Sequence, residues 1–98
     1  MFAWFESREA VEFGRSLADF FAERVPAKPV ALDDKKAVRK FNSAVERMHL
    51  RATEFRHRHS PNMYQRAKLM NAFQWRLLDL GYDKAMVEEM ARNLVRSL

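Results

Sequence analysis

The chain has 98 residues with a net charge of +5, and 48% of it is hydrophobic with twelve aromatic residues, enough apolar surface for one compact core and no room for a second domain. It has no cysteine, which excludes disulfides, thiolate metal sites and cysteine nucleophiles. Two glycines and three prolines are too few for the tight turns of an all-β fold, and no apolar run approaches the ~18 residues of a membrane span. The expectation is a single all-α domain over residues 1–98, cytoplasmic by default, without a cofactor.

Met1 to Glu6 reads as an apolar arm, too short for a signal-peptide core and preceded by no basic region. Phe2, Trp4 and Phe5 are costly to leave in water, so they pack on the chain's own core or against a partner. The first helix is predicted from Ser7, as N-cap, to Val25, with Ala10, Phe13, Leu17, Phe20, Phe21 and Val25 on one apolar face. Gly14, Ala18 and Ala22 form a row of small residues along which a second helix can approach closely. Pro26 and Pro29 end this helix and make 26–32 a connector.

Asp33 or Asp34 is the expected N-cap of a second helix reaching about His57, roughly 25 residues and about 37 Å long. Val38, Phe41, Val45, Met48, Ala52 and Phe55 recur at three- and four-residue steps as a narrow seam of the coiled-coil kind. That seam calls for a long partner helix, from the same chain or from a second copy. Ser60 as N-cap and Pro61 at the first helical position predict a third helix to about Leu80. Met63, Ala67, Met70, Phe73, Leu77 and Leu80 should face inward, with Leu69, Trp75 and Leu78 widening the apolar surface and Gly81 closing the helix. Asp83 then caps a fourth helix that buries Met86, Val87, Met90, Ala91, Leu94, Val95 and Leu98, with Tyr82 and Val87 spaced as a hydrophobic staple. The resulting architecture is a four-helix, mostly antiparallel, bundle-like domain with a long second helix.

Charge is unevenly placed. Residues 6–24 hold three arginines against five carboxylates, whereas residues 33–59 hold eight lysines and arginines against four. Lys40, Arg47, Arg51 and Arg58 share one flank of the second helix and are the candidate polyanion-binding residues. The ordinary alternative is a solvated flank, or one facing the acidic first helix. No aromatic residues interleave with these cations, and no helix-turn-helix spacing is convincing.

Glu46 with His49 and Glu54 with His57 have the Glu-x-x-His spacing of carboxylate-bridged metal bundles, but most of these side chains point away from the seam and the other helices supply no histidine. Solvated ion pairs account for them, and no metal site is expected. Ser7, Ser16, Ser43, Ser60 and Ser97 lack an activating partner, and there is no glycine-rich phosphate loop, so an enzyme is not expected. The leading expectation is a non-enzymatic protein–protein interaction module, a homodimer held by Phe2, Trp4, Phe5, Val38, Phe41, Val45, Met48 and Phe55. The alternative is a small nucleic-acid-binding protein using Lys40, Arg47, Arg51 and Arg58.

Overall fold

The structure, a computed structural model, describes the backbone of residues 2–28 and 33–98 and the side chains of residues 7–28 and 33–98. Among the described residues four helices follow one another, α1 (Phe2–Arg24), α2 (Lys35–His59), α3 (Met63–Asp79) and α4 (Lys84–Leu94), followed by a 3-10 turn (Val95–Ser97). Among the described residues there is no strand, and the helices pack as a bundle in the all-α class the sequence calls for. The second helix is the longest at 25 residues, but α1 nearly matches it at 23.

Helix α1 starts at Phe2 rather than at a cap on Ser7. Nothing in the segment before Ser7 breaks a helix, since it holds no glycine or proline, so the backbone of residues 2–6 of the expected arm begins α1. Ser7 is accordingly interior to the helix, and its buried hydroxyl finds no hydrogen-bond partner among the described residues. The side chains of Phe2, Trp4 and Phe5 lie outside the described residues, as does the 29–32 part of the expected connector.

Asp34 is the N-cap of α2, its carboxylate accepting from the Ala37 amide at 3.1 Å. With no glycine or proline inside it, α2 then runs to His59. It stops at Ser60, which adopts a left-handed conformation (φ 45°) and donates its N–H to Arg56 at 2.8 Å. Ser60 is therefore a C-cap of α2 and not the N-cap of α3. That role falls to Asn62, because Gln65 three residues later can reciprocate. The Asn62 side chain accepts from the Gln65 amide at 2.8 Å and the Gln65 side chain accepts from the Asn62 amide at 2.7 Å.

Helix α3 makes by far the most extensive contact with α1. The reason is Gly14, which packs against the backbone of Leu69 so closely that a Cβ there would lie 2.3 Å from the Leu69 carbonyl oxygen. This approach sets the rotation of α3. Gln65, Leu69, Met70, Phe73 and Leu77 turn inward, whereas Met63, Ala67 and Leu80, expected inside, face solvent. The buried side chains of all four helices merge into one core, with Leu17, Phe21, Met48, Leu69, Phe73, Leu77, Val87 and Leu94 fully enclosed.

The corner between α3 and α4 is determined locally. Gly81 (φ 93°) donates to Leu78 O at 3.0 Å and Tyr82 donates to Leu77 O at 3.1 Å, the two bonds of a Schellman motif. Asp83 then caps α4 by accepting from the Met86 amide at 3.0 Å, and Tyr82 and Val87 are both buried as a staple. Val95, expected inside, is exposed because the last turn tightens to 3-10 geometry.

The Tyr82 hydroxyl donates to the Val25 carbonyl, tying this corner to the end of α1. Burial pushes the Tyr82 hydroxyl above its usual pKa. Because the folded pKa exceeds the unfolded one, this contribution is complete below about pH 10 and is lost as pH rises beyond it. Tyr82→Phe is expected to cost about 1 to 2 kcal/mol at neutral pH, by orphaning a buried carbonyl, and to flatten the alkaline loss of stability. Urea titrations at neutral and alkaline pH measure both effects, and an unchanged alkaline slope in the variant would contradict them.

Candidate interaction surfaces

The seam on α2 is largely covered by the chain itself. Met48, Ala52 and Phe55 are buried, along with Ala44, while Val38, Phe41 and Val45 are half-buried. Phe13 of α1 stacks on Phe55 with ring centroids 4.3 Å apart, and Phe21 meets Phe41 edge-on at 5.7 Å. The partner helix that the seam demanded is thus supplied in cis, and Met48 and Phe55 are not available to a second copy. What α2 leaves in water on its far side is Leu50, 70% exposed.

The basic stripe divides in two. Arg51 and Arg58 border a cleft between α1 and α2 that also holds Glu9, Glu12 and Glu54, so they face the acidic first helix. At the edge of the same cleft His59 lies 3.3 Å from Glu9. Lys40 and Arg47 instead line an open groove with Lys36 and Arg39 of α2 and Arg24 of α1. Glu23 is the one carboxylate among the lining residues, and it is paired with Arg24 at 3.3 Å. Arg24 is also held by donation to Phe20 O at 3.0 Å and by stacking 3.7 Å above the centroid of the Phe20 ring. Arg51 lies over the same ring at 4.2 Å.

A third surface follows the groove between α1 and α3. Trp75 is 60% exposed there, beside Val11, Ala72 and Asn71, and the charges around it are mixed: Arg15, Lys68 and Arg76 with Asp19 and Asp79. Arg76 Nε donates to Asp19 Oδ1 at 2.8 Å, bracing α3 on α1. Further along α3, Met63 (83% exposed) and Tyr64 (56% exposed) extend the apolar character, with the Lys68 ammonium 5.5 Å from the Tyr64 ring centroid.

The Glu-x-x-His pairs do not converge. His49 faces the end of the chain and shares a 2.7 Å hydrogen bond with Ser97 Oγ, and no group of three or more metal-ligand residues assembles among the described residues. Neither is any described helix long and apolar enough to cross a membrane.

Two features of these surfaces escape a helix-by-helix reading. Arg24 joins the basic groove from another helix, and Lys36 sits a turn before Lys40 on α2. The α3 face was hidden because Met63 and Ala67 fit an inward row equally well. Comparison with known protein families, characterised proteins and solved structures finds no match.

Proposed function

We propose that this chain is a non-enzymatic helical interaction module that forms a homodimer through the outward face of α3. The observation that carries this reading is Trp75, a large aromatic more than half in water that lines a mixed-charge groove. Trp, Tyr and Met are residue types enriched where interfaces bury their anchors, and one helix here offers all three on its open side.

A second copy suits this face because its charges are self-complementary. Lys68 and Asp79 stand at opposite ends of the groove. When two α3 helices are laid antiparallel about a two-fold axis, Lys68 of each copy meets Asp79 of the other, which satisfies both pairs at once. The same register sets Trp75 of each copy over Ala72 of the other, where a methyl group leaves room for an indole. The long seam on α2 has no part in this interface, since its central residues are already enclosed.

Sedimentation velocity tests the reading. The unmodified chain is expected to be dimeric at high micromolar concentration, and Trp75→Ala to weaken association by about 30-fold, the effect of a hot-spot residue worth ~2 kcal/mol. Lys68→Asp should weaken it as well, and the double reversal Lys68→Asp with Asp79→Lys should restore it. A strict monomer at every concentration, or a double reversal no better than the single, would refute the antiparallel pairing.

A further inference from the structure

We infer that the groove between the C-terminal end of α1 and the N-terminal half of α2 binds the phosphate backbone of a nucleic-acid duplex. It lies on a different surface from the α3 face and does not depend on it.

Charge gives the first argument. Helix α2 carries eight lysines and arginines against two glutamates, and the groove concentrates this excess by adding Arg24 from α1. Elsewhere the basic flank is offset: Arg51 and Arg58 have Glu9, Glu12 and Glu54 beside them. Among the described residues lining the groove the one carboxylate is Glu23, which Arg24 already engages. Four uncompensated cations gathered in a concavity attract a polyanion from a distance and hold it on contact.

Spacing gives the second argument. Lys36, Lys40 and Arg47 share one flank of α2, and Ser43 falls between the last two. At 1.5 Å per residue they extend about 16 Å along the helix, with rises of about 6 and 10 Å between successive cations. One strand of a duplex presents a phosphate every ~3.4 Å of its axis, so this row can contact several phosphates of one strand. The Ser43 hydroxyl can donate to a phosphate oxygen, and Arg24, fixed by Phe20 O and the Phe20 ring, is already oriented on the opposite wall.

The lining also selects the kind of polyanion. Among the described lining residues there is no aromatic side chain, and the one apolar residue is Ala44. Single strands are held by stacking bases on aromatic rings, and protein partners by apolar anchors seated in pockets. Neither feature is present, whereas a duplex keeps its bases stacked internally and offers only phosphates and sugars to such a surface. The contact is therefore independent of sequence.

Fluorescence anisotropy with a labelled mixed-sequence DNA duplex, and with the corresponding RNA duplex and single strand, tests this. Four neutralised phosphates predict a slope of log K against log salt near −4, a loss on the order of a hundred-fold between about 50 and 200 mM salt. Lys40→Ala and Arg47→Ala should each reduce the slope by about 1. Arg58→Ala, which removes the same charge from the acidic cleft, should leave it unchanged.

Absence of duplex binding at low salt would overturn the inference. So would an Arg58→Ala loss equal to that of Lys40→Ala, which would mark diffuse attraction to net charge. Tighter binding of single strand or of poly-glutamate than of duplex would reassign the groove to those ligands. Far-UV circular dichroism of each variant separates lost binding from lost folding, since all these positions are exposed.

Discussion

Gly14→Ala is expected to destabilise the fold by about 2 to 3 kcal/mol, although the same change in an ordinary helix interior stabilises by ~1 kcal/mol. The sign reverses because the added methyl has nowhere to go. Its carbon would lie 2.3 Å from the Leu69 carbonyl oxygen and 3.2 Å from the Ala72 methyl. The first neighbour is backbone and cannot rotate aside, so relief requires α3 to withdraw from α1 as a unit. That withdrawal loosens Leu17, Leu69 and Phe73, all fully buried in the shared core. The urea midpoint should fall with no change in m, while Ser16→Ala, two residues away and exposed, should change stability by no more than ~0.5 kcal/mol. A midpoint that rises in Gly14→Ala would mean that α1 and α3 do not meet this closely.

The same contact explains what the sequence conveys and what it withholds. The corner from Leu77 to Val87 was legible because every interaction that builds it spans only a few residues, namely a glycine free to adopt φ 93°, an aspartate cap and a hydrophobic staple. The start of α3 is equally local, with the Asn62-x-x-Gln65 spacing of a capping box in the sequence, but Ser60 before Pro61 mimics a start two residues earlier. Ser60 and Asn62 are both acceptable caps when read alone, and the decision rests on whether Gln65 can return the bond. The face of α3 was legible only in part, because the row through Met63 and Ala67 and the row through Gln65 and Leu69 overlap at Met70, Phe73 and Leu77. Which row is buried depends on a partner helix distant in sequence. The row Gly14, Ala18 and Ala22 announced a close approach without saying where along α3 it falls.

The surfaces follow the same logic. Lys40 and Arg47 could be found on a single helical wheel, but their separation from Arg51 and Arg58 depends on where Glu9, Glu12 and Glu23 lie across the interface. Val11, Arg15 and Asp19 border the groove with α3, while Glu9, Glu12 and Arg24 border the two openings toward α2. Helix α1 thus separates the basic groove from the aromatic face. Variants at one surface can be made without altering the other, and a copy docked on α3 leaves the groove on α2 open.

Phe21→Ala should be the most damaging of these substitutions, with an expected loss of about 4 kcal/mol. The ring is completely buried, and it is the hub of the aromatic cluster, meeting Tyr82 edge-on at 5.5 Å and Phe41 at 5.7 Å. Its removal takes away more than transferred area. Phe41 is one of the residues by which the N-terminal half of α2 joins the core, and Tyr82 ties the α3–α4 corner to Val25, so the cavity opens where these elements converge. Domains of this size are stable by about 5 to 15 kcal/mol in total, so a loss of this size leaves a variant with a broad, low unfolding midpoint. Phe21→Leu, which retains most of the volume, should cost about 1.5 kcal/mol or less. Because Phe21 and Tyr82 touch ring to ring, the double change Phe21→Ala with Tyr82→Ala should cost less than the two single changes added together. Strict additivity in that cycle would place the two rings in separate parts of the core and contradict the packing described.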